Sequence, residues 1–330
     1  MTTEKKLKIH FAPLQGHTDH FYRNAHQEIF GGIDTYYTPF VRLEKGNKYR
    51  TRELRDILPE NNRVHELVPQ MIASTPEELK EIASLFIKNG YKRADLNMGC
   101  PFPMIARRHK GSGLLPHVEE VKALMDAIRE IPELQFSVKM RLGWESAQEC
   151  LDLLPILNDA PLVHIGLHAR LGKQQYKGEV DMEGFEAFYK ACKHPLFYNG
   201  DLLSIEDIEQ IQNRFPNLEG VMIGRGLLSN PALALEYSQD KTLEPLDKKK
   251  RMREFHNTLF EHYSEFLQGD KQILEKMKPF WEYLSNEMEK RTRKKIEKAN
   301  KIAHYEAAVS LAFSQWGKIS FVSEEESDEE

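Results

Sequence analysis

Cysteine is scarce: 330 residues contain only Cys100, Cys150 and Cys192. They lie far apart, are odd in number and form no CxxC pair. That argues against a disulfide framework and a structural zinc site, and fits a reducing, cytoplasmic setting. Long apolar runs are missing too, since no stretch approaches the roughly 18–20 residues of a membrane helix. The opening "MTTEKKLKIHFAP" has lysines but no apolar h-region and no small-residue cleavage site, so no secretory signal is expected. No repeat occurs at solenoid periods. No GxGxxG follows the first apolar run and opens a helix, which disfavours a doubly wound dinucleotide-binding sheet.

A surplus of positive charge is absent as well, the formal net charge being −5. The final "SEEESDEE" alone carries six acidic groups, and without them the remainder sits near +1. We read residues 321–330 as a disordered acidic tail whose simplest role is solubility. Global charge therefore neither supports nor excludes a nucleic-acid partner, and local charge must decide.

What is present is an alternation of short apolar runs with longer amphipathic stretches. The strand candidates are "KIHFAPL", "TYYTPFV", "HELVPQMI", "RADLNMG", "QFSVKMR", "VHIGLHA", "PLFYNGD" and "GVMIGRG". Helical patterns such as "TPEELKEIASLFIKNG" and "HVEEVKALMDAIREI" separate them. This is the pattern of a (β/α)8 TIM barrel over residues 1–240. Residues 241–320 lose the strand pattern and read as a small helical domain with a basic segment, "KRTRKKIEKANK". In a barrel, strand C-termini and the loops after them build the active face. The odd polar residues stand there: Gln70, Asn97, Cys100, Lys139, Arg141, His168, Asn199, Asp201 and Arg225.

Chemistry can be attached to several of these. "YNGD" and "MIGRG" place Gly200 and Gly224 at strand ends where backbone N–H groups can approach a phosphate, with Arg225 adding charge. Lys139 must meet an anion, an electron-rich ring or an ion-pair partner, or act as a Schiff-base nucleophile. His168 is either structural or ligand-binding. Cys100, between Gly99 and Pro101, reads as an exposed thiol in a stiff loop, available as nucleophile, metal ligand or acid. No second Cys or His stands at metal-ligand spacing around it, so no metal is expected.

The motifs "APLQGHTD", "LNMGCP…KGSGLL", "VKMRLGW", "LHAR…YKG", "YNGD" and "GVMIGRGLLSNP", in this order, resemble the tRNA-dihydrouridine synthase family. The resemblance spans the barrel, from residue 12 to about 232, and the helical region agrees. It implies an FMN-dependent enzyme that reduces the C5=C6 bond of a uridine in tRNA with NADPH or NADH. It further implies a flavin lined by Ala12, Pro13 and Leu14 and hydrogen-bonded by Gln70. Lys139 would stabilise negative charge on the reduced flavin, and His168 would contact the cofactor. Asn199, Gly200, Asp201, Gly224 and Arg225 would hold the ribityl phosphate. Cys100 would protonate C5 as general acid, while Asn97 and Arg141 orient the uracil. Arg107 and Arg108, with the basic helical segment, would meet RNA phosphates. Departures are Leu14 for Met, "HARL" for "HGRT", and "TPFVR" for a Thr-Glu pair after the second strand. We expect a monomer without membrane attachment. An FMN barrel oxidoreductase acting on a free small molecule, dihydrouridine synthesis on another RNA, and a non-catalytic RNA-binding protein are the competing functions.

Overall fold

The computed structural model describes residues 6–46, 48–284 and 288–317. The expected acidic tail lies outside the described residues. Nine parallel strand segments form one sheet: β1 (Lys8–Phe11), β2 (Thr35–Tyr37), β3 (Leu67–Val68), β4 (Gln70–Met71), β5 (Arg93–Met98), β6 (Gln135–Gly143), β7 (Leu162–Leu171), β8 (Leu196–Asn199) and β9 (Gly220–Ile223). The order β3-β2-β1-β9-β8-β7-β6-β5-β4 ends on two segments separated only by Pro69. Proline has no N–H to donate, so it splits one barrel strand into two. Counted as one, β3 and β4 close an eight-stranded TIM barrel, as the eight apolar runs predict.

Alternation along each strand divides two interiors. On β6, Phe136, Val138, Met140 and Leu142 join the apolar layer between strands and helices. The alternate set, Ser137, Lys139 and Arg141, faces the barrel axis. The interior is strongly polar for a barrel. The Tyr37 hydroxyl bonds His10 Nδ1 at 3.0 Å and His164 Nε2 at 3.1 Å, and the His10 ring stacks on Phe197 at 4.0 Å. Burial holds both imidazoles well below their usual range, so all three groups stay neutral.

The helices start where side chains can cap them. Thr75 accepts from Glu78 N with Pro76 in the first turn, and Ser204 and Asp207 form a reciprocal capping box. The first helix, His20–Ile29, is capped by Asp19. After residue 244 the chain is helical, in Pro245–Phe266, Gly269–Met277, Lys290–Lys298 and Ile302–Gln315. The first of these lies against His20–Ile29, with Tyr22 and Phe255 edge to face at 4.9 Å. The Tyr263 hydroxyl donates to Asp19 Oδ1 at 2.8 Å, and Lys276 Nζ reaches Asp19 Oδ2 at 2.7 Å. Behind them, buried Tyr305 receives the Trp281 indole N–H at 2.9 Å and bonds His256 Nε2 at 2.9 Å.

Candidate active site

Strand register brings the site together. Gln70 pairs with Asp95, Asn97 with Lys139, Arg141 with His168, and His168 with Asn199. Residues distant in sequence therefore become neighbours around the C-terminal rim. A cavity of about 440 Å³ opens there, lined by Ala12, Pro13, Leu14, Lys139, His168, Asn199, Gly200, Asp201, Gly224 and Arg225. Of the expected cofactor residues only Gln70 is not in its wall.

The electrostatics of this cavity are cationic but tightly arranged. Lys139 Nζ donates to Asn199 Oδ1 at 2.9 Å, and Asn199 Nδ2 donates to Met222 O at 2.6 Å. Burial first, then Arg141, brings the Lys139 ammonium down to about 8, with Asp95 pulling the other way. It is still charged at neutral pH. Burial and the cations around it hold His168 well below its ordinary value, so it is neutral. Asp201, with φ of 29°, accepts from Arg225 Nη2 at 2.7 Å and from both terminal nitrogens of Arg170. Its hydrogen bonds to Arg170 hold its carboxyl below the usual range. Close packing fixes the last two loops, since a Cβ on Gly226 would fall 1.9 Å from Leu202 O.

Other side chains complete this wall, Arg170, Tyr176 and Tyr283 among them. Arg170 lies two positions after His168, so strand alternation puts both on one face, a signal available in the sequence. Tyr176 is 47% exposed, and its ring meets Arg225 at 4.6 Å and Arg141 at 5.4 Å. Tyr283 comes from the C-terminal helical part, and no local pattern ties it to the barrel mouth.

Cys100 sits beside this cavity, packed with Phe40, Ile72 and Ile105. Its carbonyl accepts from Ser112 N and Ser112 Oγ, both at 3.0 Å. Here the Gly-Ser-Gly acquires its reason. A Cβ on Gly111 would lie 2.6 Å from Cys100 O, and one on Gly113 would lie 2.2 Å from Ala106 O. Burial pushes the Cys100 thiol up, with Arg141 and Lys139 opposing more weakly. The group therefore remains a thiol at neutral pH. Asn97 Oδ1 accepts from Cys100 N at 2.8 Å and Gly99 N at 3.1 Å. Arg141 uses its Nε on Gly99 O at 2.9 Å, and its Nη1 on Leu171 O and Gln175 O.

The basic run that follows is only half free. Arg107 and Arg108 are exposed, whereas Lys110 pairs with Glu78 at 2.6 Å and His109 with Glu120 at 2.8 Å. Acidic side chains of neighbouring helices thus occupy His109 and Lys110, which leaves the two arginines as the exposed cations of this run. In the C-terminal helices, Arg291, Lys294, Lys295 and Lys298 line a groove of about 540 Å³ with His304 and Leu311. Among the described residues none of these four cations pairs with a carboxylate. No helix among the described residues is long and apolar enough to cross a membrane.

A closed parallel barrel with helices around it and a cationic, glycine-bordered cavity over its last two strands is a TIM-barrel protein whose cavity suits an anion. Solved structures share this fold. Morphinone reductase superposes with a TM-score of 0.53 at 10% identity, over 73% of this chain and 88% of that one. Morphinone reductase in complex with tetrahydroNAD does so with a TM-score of 0.51 at 10% identity, over 73% and 90%. Residues 10–315 match the family described as dihydrouridine synthase. The chain belongs to that family and is an enzyme of it. A tRNA-dihydrouridine(16) synthase of Pseudomonas putida is 30% identical over 70% of this chain and 73% of its own length. A probable tRNA-dihydrouridine synthase of Staphylococcus aureus is 29% identical over 76% and 77%.

Proposed function

We propose that this enzyme reduces the C5=C6 bond of a uridine in tRNA to 5,6-dihydrouridine, with FMN as cofactor and NADPH or NADH as electron donor. The observation that carries the reading is the family match over residues 10–315. The residues present fit a flavin mononucleotide. Gly200, Gly224 and Arg225 offer a phosphate cradle, Lys139 an ammonium for the ring, and Ala12, Pro13 and Leu14 a backbone wall. Gln70 is one step outside that wall, bonded to Asn97, and serves the ring edge from there.

Held by these residues, a flavin would supply hydride chemistry at C6 of the uracil, with the nicotinamide donor as the source of the electrons. The protein must then deliver a proton to C5. Cys100 is the acid: a thiol that burial keeps protonated at neutral pH transfers its proton as charge develops, and the thiolate left behind is reprotonated from solvent. Asn97 and Arg141 fix the loop that presents this thiol and the edge of the site where the uracil sits. The base has to leave its stack to reach the barrel rim, so the substrate is a flipped nucleotide. Arg107, Arg108 and the basic groove of the C-terminal helices take the phosphates, which makes residues 241–320 the RNA-binding part and 1–240 the catalytic part.

Two measurements test this. Mass spectrometry of tRNA from cells lacking the gene should show dihydrouridine lost at a defined position; an unchanged profile without a redundant paralogue favours a small-molecule substrate. Cys100→Ala should retain flavin reduction by NADPH and lose about 10²–10⁴-fold in RNA reduction, the usual range for removing a general acid. Full turnover in that variant would refute Cys100 as the proton source.

A further inference from the structure

Behind Cys100 runs a line of hydrogen bonds that extends past Asn97 and Gln70 to Asp95 and Ser137, which have no part in the proposed reaction. Cys100 N and Gly99 N donate to Asn97 Oδ1 at 2.8 and 3.1 Å. Asn97 Nδ2 donates to Gln70 Oε1 at 2.7 Å, and Gln70 Nε2 donates to Asp95 Oδ2 at 2.7 Å. Ser137 Oγ donates to the other carboxylate oxygen at 2.5 Å. Asp95 is 0% and Gln70 1% exposed, so water cannot substitute for a missing partner.

An amide side chain can turn over, exchanging its oxygen and nitrogen with almost no change of shape. The two ends of this line remove that freedom. The far end consists of two backbone N–H groups, which only donate. The near end is the Asp95 carboxyl, which accepts from Gln70 Nε2 and Ser137 Oγ; burial raises it to about 6, still below neutral pH. Only one orientation of Gln70 together with one of Asn97 satisfies both ends. We propose that Asp95 is a positioning residue for Cys100: as the buried acceptor that ends the line, it works with the backbone N–H groups at the other end to hold Gln70 and Asn97 in one polarity and so anchors the thiol-bearing loop. The proposal rests on the reading of Cys100 as the reacting thiol, and it places the control of that thiol on β5, below the cavity.

Exchanging the two residues tests the polarity. In Asn97→Asp, the new carboxylate still accepts from the two backbone N–H groups. Gln70 must then choose between two carboxylates, and one of them is left facing its carbonyl oxygen. In Asp95→Asn/Asn97→Asp, Gln70 turns over, donating to the carboxylate at position 97 and accepting from the new amide at position 95. Ser137 still donates to the oxygen of that amide. Every bond is restored with the middle links reversed.

The readout is the iodoacetamide alkylation rate of Cys100 on the full chain as purified, resolved by peptide mass spectrometry so that Cys150 and Cys192 serve as internal references. Asn97→Asp should raise the Cys100 rate relative to wild type by about tenfold, as expected for a lost buried hydrogen bond that lets the loop open. The double variant should react about tenfold more slowly than Asn97→Asp, because its links are restored. Both Asn97→Asp proteins carry the same new carboxylate beside the thiol, so its direct effect on the thiol cancels between them. Failure of Asn97→Asp to fold, with the double variant folded, supports the proposal equally. A double variant no better than Asn97→Asp, or equal effects of that change in both backgrounds, overturns it. No RNA enters the assay, so this outcome is separate from the Cys100→Ala test of the reaction.

Discussion

Replacing Lys139 with Met should stabilise the cofactor-free protein and weaken its hold on a flavin. Burial brings the ammonium from 10.5 to about 8. That difference corresponds to ~3 kcal/mol held against the charged form in the folded state. The side chain also lines the cavity, so part of this is relieved by solvent. Removing the donor leaves Asn199 Oδ1 without its partner, which costs about 1 kcal/mol. The net gain is then ~1–2 kcal/mol, or about 2–4 °C in Tm for a chain of this size. The sign follows from proton linkage. Below pH 8 both states hold the proton and the variant keeps its full advantage. Between about 8 and 10.5 the unfolded chain binds more protons, so wild-type stability recovers and the gap closes. The assay is thermal unfolding of cofactor-free protein at pH 7 and pH 10, repeated with saturating FMN. With FMN the order should reverse, because wild type gains more from binding. A cofactor-free variant that melts at or below wild type at pH 7 would refute the reasoning.

Three further outcomes follow from the packing. Arg225→Ala should raise the FMN dissociation constant about 10–100-fold, the loss of one charge-assisted contact, as read by flavin fluorescence. Gly113→Ala should cost about 1–3 kcal/mol in denaturant unfolding, because its Cβ has no room beside the Ala106 backbone. Tyr263→Phe removes the hydroxyl bonded to Asp19 and should cost about 1 kcal/mol by the same measurement, with Lys276 retaining part of the link.

The barrel was legible because its signal is local: short apolar runs, turn residues and capped helices repeat along the chain. Half of the cavity wall was legible for the same reason, since odd polar residues at strand ends must share one rim once the strands are parallel. Arg141 shows where this stops. Its spacing places it at the rim, but its three donors meet backbone carbonyls of two loops that come together only in the folded chain. Lys110 and His109 show the converse, basic residues that look free until Glu78 and Glu120 arrive from other helices. Tyr283 was out of reach altogether, because its place depends on how the C-terminal helices dock. The direction of the line from Asp95 to Cys100 was also hidden, since a sequence does not say which way an amide faces.

Asp19 belongs to the "GHTD" segment near the start of the chain, yet it answers to residues some 250 positions later. It caps the first helix of the barrel while holding Tyr263 and Lys276 of the C-terminal part. One carboxylate is thus an alignment pin between the surface proposed to grip a macromolecule and the rim where chemistry would occur. A change in how Tyr263 and Lys276 seat on that pin would move Tyr283 relative to the barrel mouth while Asp19 kept its cap on the first helix. Selection among similar nucleotides could then drift through the seating of the helices while the chemistry beneath stayed constant.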